Sequence, residues 1–382
     1  MPDALTAITN LRMQVTDEQP ELVEQIYELE DLHERKLWHQ LTQKVVELFA
    51  DERSRLYRHQ LFTQFLATVE DKINPLAYVS LGISASELCA TPQESIVFLQ
   101  KICDKVEDEN VRKFAELRIA SYCLQTGEVP RARKIIDSAS KLVDELQTTD
   151  STIMAMYYGV SCEYYKHKRE YTAYYRNALL YLACIDINTL SREQQQQKAY
   201  DLAVAALLGD KIYNFGELIL HPIAQTLDGE YKWLHDLVFA VNSGDIVAFQ
   251  NIKPSLEKAP IVQSSIAFLD QKICLMALCE CVFKRPTTDR VLPFDAIATE
   301  TKLQTGSKVE ILVLKALSLG LIEGTIDQVD KTVTVTWLQP RVLSNDQIAV
   351  MRSKLGDWDR EVNTLVDWMQ TEGKQVWAQT RA

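Results

Sequence analysis

The sequence predicts a mainly α-helical fold of three parts: a solenoid of helical hairpins, a small module of helices and strands, and one final amphipathic helix. Apolar residues recur at three- and four-residue spacing from residue 20 to residue 265, a pattern typical of packed helices. Strand-like alternation begins only after residue 320, and a heptad pattern follows it. We therefore expect three structural regions in this order along the chain.

The helical region contains two segments that repeat one plan. The first reads FAELRIASYCLQTGEVPRARKIIDSASKLV, and the second reads STIMAMYYGVSCEYYKHKREYTAYYRNALLYLACI. Each consists of a helix, a turn and a second helix, and the second segment begins about 40 residues after the first, within the range typical of helical repeats. The sequence therefore predicts a tetratricopeptide-like solenoid of helical hairpins, whose stacked repeats offer a long surface to partners.

Around residue 285 the pattern changes to that of a small mixed module. We expect a short strand near Val291, a short helix in FDAIA and a longer helix capped by Gly320 in the left-handed conformation. Two strands follow, in TIDQVD and KTVTVTW, and Val333, Val335 and Trp337 alternate there with threonines. One face of the last strand is therefore expected to enter the core. This order of helices and strands is that of a winged helix.

A winged helix is best known as a DNA-binding module, so the composition of its surface decides between uses. A helix that reads the major groove presents Arg, Lys, Asn or Gln. The longer helix of this module presents instead a mixed set: Lys308, Glu310, Lys315 and Ser318. The wing tip DQVDK carries two acids, and the net charge of the chain is -12, whereas binding to phosphates favours basic proteins. We therefore expect no nucleic-acid partner. Helix packing also explains the tyrosine-rich run YYKHKREYTAYY better than stacking on single-stranded bases does.

Contact with protein is the better use of this module. The final β-ribbon is expected to leave one edge unpaired, and a strand of a partner can extend such an edge. The candidate residues at this edge are Thr332, Thr334 and Thr336.

The C-terminal region carries a heptad seam. Its apolar residues alternate at three- and four-residue spacing: Ile348, Met351, Leu355, Trp358, Val362, Leu365 and Met369. Two interpretations are open, since the helix either folds back onto the winged helix or joins helices of other chains in a bundle. We favour the bundle, because Gly356 and Gly373 weaken the isolated helix, as expected for a segment that folds on assembly.

The sequence carries no recognisable catalytic or metal-binding pattern. It lacks a Gly-rich phosphate loop, a G-x-S-x-G elbow and an H-E-x-x-H pair, and its six histidines are dispersed. Its eight cysteines have no second pair at zinc-finger spacing and are expected to be free thiols. We therefore expect no enzymatic activity, no cofactor and no metal. No signal peptide or membrane-spanning stretch is evident, so we expect a location in the cytoplasm and nucleus.

Helical repeats, a winged helix and a terminal amphipathic helix together resemble the PCI family, whose members scaffold the proteasome lid, the COP9 signalosome and a translation initiation factor. The segments most similar to the lid members are KLWHQLT, INPL, YNFGELILHPI, FAVNSGDIVAFQ and VEILVLKALSLGLIEGTIDQVDKTVTVTWLQPRVL. The resemblance implies a non-catalytic scaffold of the 26S proteasome regulatory particle that supports lid assembly and ubiquitin-dependent degradation. The implied partners form a hetero-oligomer: other PCI subunits, MPN-domain subunits including the deubiquitinase pair, and a ubiquitin-receptor subunit, with no nucleic acid and no membrane.

The resemblance also implies a domain plan. We predict an N-terminal helical-repeat arm at 1–200, a PCI domain with a helical part at 201–285 and a winged helix at 286–343, and a bundle helix at 344–382. The alternative is a PCI subunit of another complex, similar to the COP9 signalosome or acting in translation initiation or mRNA export, with RNA contact.

Overall fold

The computed structural model describes residues 6, 8–13, 20–145, 151–285, 289–303, 306–340 and 345–371. In this part of the chain helices predominate, as predicted, and the strands form one three-stranded sheet. The α-helices are α1 (Pro20–Glu34), α2 (Trp38–Ala50), α3 (Arg58–Gln64), α4 (Pro75–Ser86), α5 (Pro92–Lys105), α6 (Glu109–Gln125), α7 (Val129–Glu145), α8 (Ser151–Lys168), α9 (Tyr171–Cys184), α10 (Arg192–Leu208), α11 (Gly216–Leu220), α12 (Lys232–Ser243), α13 (Ile246–Ile252), α14 (Pro260–Ser264), α15 (Ile266–Lys284), α16 (Phe294–Thr301), α17 (Gly306–Ser318) and α18 (Asn345–Thr371). The strands are β1 (Val291–Pro293), β2 (Ile322–Asp327) and β3 (Thr332–Leu338).

The chain divides into two compact units, Met1–Ser191 and Arg192–Ala382. The first unit contains α1 to α9, and the second contains α10 to α18 together with the sheet. A boundary after residue 200, as the sequence suggested, would cut through α10, a continuous helix. The other predicted boundaries, after residues 285 and 343, stay predictions.

The first unit is built from helical hairpins, which confirms the predicted repeat architecture. Helices α1 and α2, α6 and α7, and α8 and α9 are joined by short turns and pack against each other. Small and aliphatic side chains fill the space between the hairpins, among them Leu99, Ala115, Ile119, Ala132 and Val160. Since a single hairpin cannot bury its own apolar face, each one depends on its neighbours for stability.

The three hairpin turns share one hydrogen-bond pattern, in which a residue in the left-handed conformation ends the first helix. This residue is Gly127 after α6, with a φ of 83°, but Lys36 after α1 and Arg169 after α8, both with a φ of 58°. At Arg169 the N–H donates to the carbonyl of Lys166, and the next N–H, of Glu170, donates to the carbonyl of Tyr165. This is the Schellman arrangement, which satisfies carbonyls that the helix end leaves without partners.

The tyrosine-rich run belongs to the packing of α8 against α9. Tyr164 and Tyr175 are buried, and Tyr171 and Tyr181 are half-buried. Stacking on nucleic-acid bases needs exposed aromatic faces. The prediction that these tyrosines serve helix packing is therefore confirmed.

Helix α15 lies at the centre of the second unit. It packs against α10, α12 and α13 of the helical part, and also against α16, α17 and β3. Leu269 and Ile273 lie on one side of the helix and Leu275 and Leu278 on the opposite side, and all four are nearly inaccessible to solvent. Although Ala267 and Gln271 near its start are exposed, α15 is buried on opposite sides, and it joins the helical part of this unit to its winged helix.

The winged helix forms from the elements that the sequence predicts. Strand β1 is followed by α16, α17, β2 and β3, and the sheet has the antiparallel order β1-β3-β2. Gly320 ends α17 with a φ of 67°, as expected. Leu292, Val333 and Val335 point into the core and are almost fully buried.

Trp337 departs from the predicted alternation. We expected it to enter the core with Val333 and Val335, but 40% of its surface is exposed. A β-bulge between Glu323 and Gly324 changes the register opposite this end of β3. The regular inward and outward alternation therefore ends at Val335.

Gly244, at the corner between α12 and α13, combines a left-handed backbone with a close approach that leaves no room for a side chain. It has a φ of 67°, and the Schellman bond from the N–H of Asp245 to the carbonyl of Ala240 spans 3.0 Å. A Cβ at this position would lie 2.6 Å from Cα and 2.7 Å from N of Ala277, in the backbone of α15. The corner can therefore approach α15 closely only because it lacks a side chain.

We expect Gly244→Ala to lower the free energy of unfolding by about 3 kcal/mol, because the left-handed strain adds to a clash with the α15 backbone. Gly320→Ala is the matched control, since Gly320 has the same φ of 67° and no atom within 4 Å of the added Cβ. Only the strain of about 1 kcal/mol remains there. Urea unfolding of the two variants measures the difference, and equal losses would show that the close approach to α15 costs nothing.

Candidate protein-interaction site

The structure corrects the predicted edge of the sheet. Thr332, Thr334 and Thr336 lie on β3, which is the central strand and not an edge strand. Thr334 is paired with Val291 of β1 on one side and with Thr325 of β2 on the other. The sequence did not reveal this, because the pairing of β1 with β3 is non-local. The threonine side chains still contribute to the surface, since Thr334 and Thr336 are exposed and Thr332 is half-buried.

Strand β2 takes the place of β3 as the longer edge strand. It pairs with β3 on one side, and no further strand lies beyond it among the described residues. The hydroxyl of Thr336 donates to the carbonyl of Glu323 across the pair, at 3.1 Å. At Gly324 a Cβ would lie 2.2 Å from the carbonyl oxygen of Thr334, so the two strands approach too closely for any side chain there. β2 therefore presents a firmly held edge, which a partner strand can extend.

Helix α17, which corresponds to the recognition helix of a DNA-binding winged helix, has an aliphatic outer surface. Ile311 is 63% exposed and Leu314 is 51% exposed. Lys308 is exposed beside them, whereas Lys315 is half-buried and donates to Gln271 of α15. Sequence reasoning missed the two aliphatic residues, although both lie outside the buried stripe of α17. This surface suits contact with protein better than contact with base edges, which polar side chains read.

The wing tip between β2 and β3 is a tight acidic turn. The carboxylate of Asp327 accepts hydrogen bonds from the N–H groups of Val329 and Asp330, both at 3.0 Å. Lys331 follows with a φ of 50°, and Val329 is 91% exposed. The tip therefore presents an apolar side chain and two carboxylates, and the carboxylates would repel a phosphate backbone.

Helix α18 exposes most of the heptad seam to solvent. Its 27 residues form one continuous helix. Of the seven seam residues, Val362 is half-buried. The other six are exposed at the following fractions: Ile348 51%, Met351 50%, Leu355 62%, Trp358 63%, Leu365 57% and Met369 50%.

These exposures contradict the interpretation that α18 folds back onto the winged helix. A helix buried in that way would hide its seam, whereas Leu355 and Trp358 are more than half exposed. Sequence reasoning also missed Val366 and Trp368, which lie beside the seam and are 42% and 60% exposed. Their apolar side chains widen the seam near the end of the helix. Exposed apolar patches of this kind mark protein interaction sites.

The described residues contain no group of three or more His, Cys, Asp or Glu side chains that could hold a metal ion. Three of the thiols, those of Cys103, Cys123 and Cys274, are also poor nucleophiles. Burial is the first cause that raises the pKa of Cys103, to about 11, with Glu116 and Asp104 adding to it. Burial likewise raises the pKa of Cys123 and of Cys274. A thiol with a raised pKa stays protonated near neutral pH and is unreactive.

None of the described helices is long and apolar enough to cross a membrane.

Three family models match consecutive parts of the chain. The model of PSD13 N-terminal repeats matches residues 25–238, the model of the PCI domain matches residues 249–337, and the model of the Rpn9 C-terminal helix matches residues 341–373. The third match spans α18 and its seam.

Curated relatives match over nearly the whole length. The chain is 42% identical to the probable 26S proteasome regulatory subunit rpn9 of Schizosaccharomyces pombe, over 94% of each chain. It is 36% identical to the 26S proteasome regulatory subunit RPN9 of Saccharomyces cerevisiae, over 97% of this chain and 98% of the relative. It is 35% identical to the 26S proteasome non-ATPase regulatory subunit 13 homolog B of Arabidopsis thaliana, over 92% and 95%.

In the isolated chain, we expect Leu355→Ala and Leu365→Ala to change the free energy of unfolding by less than about 0.5 kcal/mol, because both side chains are largely in water already. Leu269→Ala in α15 is the matched control: Leu269 is fully buried, and its loss should cost about 2 to 5 kcal/mol. Urea unfolding monitored by circular dichroism gives these values. A loss at Leu355 as large as that at Leu269 would mean that the seam is packed within the isolated chain.

Proposed function

Because the chain belongs to the Rpn9/PSD13 family of 26S proteasome regulatory subunits, we propose that it is a non-catalytic scaffold subunit of the lid of the regulatory particle. In this role it supports lid assembly and, through it, ubiquitin-dependent protein degradation. The observation that carries the proposal is the match to proteasome relatives along nearly the full length of both chains.

The proposal assigns three regions to three tasks. The helical repeats of residues 1–191 serve as an arm, the helical part and winged helix of residues 192–343 dock on neighbouring subunits, and residues 344–382 join a helical bundle. The arm ends at 191 here, so that α10 stays whole. Its partners are other PCI subunits of the lid, MPN-domain subunits including the deubiquitinase pair, and a ubiquitin-receptor subunit.

Two surfaces carry docking in this proposal. The open edge of β2, with Thr334 and Thr336 exposed on the adjoining strand, suits extension by a strand of a neighbouring subunit. The seam of α18 suits burial among helices, because its exposed Trp358 and Leu365 are residue types that stabilise helical interfaces once water is excluded. The aliphatic outer surface of α17 and the acidic wing tip support protein partners over nucleic acid.

The absence of enzymatic activity is part of the proposal. It is supported by thiols whose pKa burial raises and by the sequence, which lacks the catalytic motifs considered above. We place the protein in the cytoplasm and nucleus, where a reducing environment agrees with cysteines that form no disulfide in the described part of the chain.

The seam should be required for assembly and not for folding. We expect the triple variant Leu355→Ser, Trp358→Ser and Leu365→Ser to be depleted about tenfold or more from lid-sized complexes, because truncating buried interface anchors typically costs more than 1 kcal/mol each. The measurement is native mass spectrometry of complexes purified through a tag on the full-length chain. A chain ending at Leu343 should behave like the triple variant.

The matched control is Asn363→Ala with Asp367→Ala, which changes the polar face of the same helix. It should enter the complexes as the unchanged chain does. Equal incorporation of the triple variant would show that the winged helix alone carries docking. Recovery of the unchanged chain without any proteasome subunit, or with RNA, would refute the proposed function.

A further inference from the structure

Lys272 on α15 is a buried lysine that reaches the C-terminal end of α10. It is 1% exposed, and it lies in the middle of the core helix of the second unit. Its Nζ donates to three backbone carbonyls, those of Ala206 at 2.8 Å, Leu207 at 3.0 Å and Gly209 at 2.8 Å. These carbonyls belong to the last turn of α10 and the residue just after it, where a helix leaves its acceptors without intrahelical donors.

The surroundings of Nζ are those of a site for a cation. The rings of Tyr213, Phe215 and Phe268 have their centroids 5.4, 5.1 and 5.6 Å from Nζ, within the range of cation–π attraction. The C-terminal end of a helix carries partial negative charge, which also favours a cation. The Asp210 carboxylate, two residues beyond the end of α10, adds to this attraction.

Three acceptors distinguish an ammonium group from a neutral amine. An ammonium has three N–H donors and satisfies all three carbonyls, whereas a neutral amine has two and leaves one carbonyl without a partner. Burial lowers the pKa of Lys272 to about 7, against the opposing effect of Asp210. Below that pH the group therefore carries its charge, and the three bonds can all form.

Because of the contacts of α15, the Lys272 site affects more than the end of α10. The same helix packs against α10, α12 and α13 on the side of the helical part and against α16, α17 and β3 on the side of the winged helix. The loop after α10 is close-packed as well, since a Cβ on Gly209 would lie 2.4 Å from Cδ1 of Ile212.

We infer that Lys272 is the internal ligand of a cation site formed by the end of α10 and three aromatic rings, and that its ammonium latches α10 to α15. The latch fixes the start of the helical part to the helix that carries the winged helix, so that the helical part and the winged helix move as one body. The competing explanation is that the site tolerates the lysine and depends only on packing of its aliphatic stem, because apolar residues often replace buried charges without loss. This inference does not depend on the proposed function.

The first test replaces the charge and keeps the stem. In the full-length chain at about pH 6, where Lys272 is protonated, Lys272→Met should speed amide hydrogen exchange of residues 205–215 by about tenfold or more, because three buried carbonyls lose their donor. Residues 115–123 in the core of the first unit should exchange as before. Unchanged exchange at residues 205–215 would overturn the latch and leave the packing explanation.

The second test restores the cation from solution. Lys272→Ala removes every atom beyond Cβ, and n-propylammonium has the same three carbons and one nitrogen. It should raise the thermal midpoint of this variant in a saturable manner, and it should leave the unchanged chain and Lys272→Met unaffected. The neutral control is n-propanol. If n-propanol stabilises Lys272→Ala as well as n-propylammonium does, the site recognises an alkyl chain and the inference is wrong.

Discussion

Burial of α15 between the helical part and the winged helix is the constraint on which the second unit depends. Helices of the helical part cover one side, and the winged helix covers the other, so neither can form its core without this helix. The apolar side chains Leu269, Ile273 and Met276 supply the hydrophobic part of that burial. The glycine at the α12–α13 corner and the lysine that reaches from α15 to the end of α10 both follow from it, since the first lets backbone approach α15 closely and the second places a charge on the buried side of that helix.

The first unit meets a different constraint. Each of its hairpins has an apolar face that only a neighbouring hairpin can cover, so stability is passed along the repeats. No single residue type marks the hairpin turns in the sequence. Lys36 and Arg169 adopt at two turns the left-handed conformation that Gly127 adopts at a third. The hydrogen bonds of the Schellman arrangement, and the packing of the two helices on either side, hold these residues in a conformation that non-glycine residues disfavour.

The two units bury their apolar residues efficiently, and this makes the exposed ones informative. The apolar side chains of α18, together with Ile311 and Leu314 of α17, stay in water in the isolated chain. A wide apolar stripe on a continuous helix is typical of a surface that contacts another molecule. Because the chain belongs to a family of proteasome regulatory subunits, we expect that molecule to be a protein. The acidic wing tip agrees with a protein partner better than with nucleic acid.

Local physical chemistry explains what the sequence by itself determined. Helix spacing, the hairpin repeats, the short strand β1, the cap at Gly320 and the seam of α18 all depend on residues within a few positions of one another. Similarity of whole segments then determined the family. Only the tertiary structure decided the rest, because it depends on pairs far apart in the chain. β3 became the central strand through pairing with β1 about 40 residues earlier, which moved the open edge to β2. Lys272 donates to carbonyls at the end of another helix, more than 60 residues earlier in the chain. Exposure of Trp337 and Ile311 followed from where the core ends, a boundary that spacing along one strand or helix does not contain.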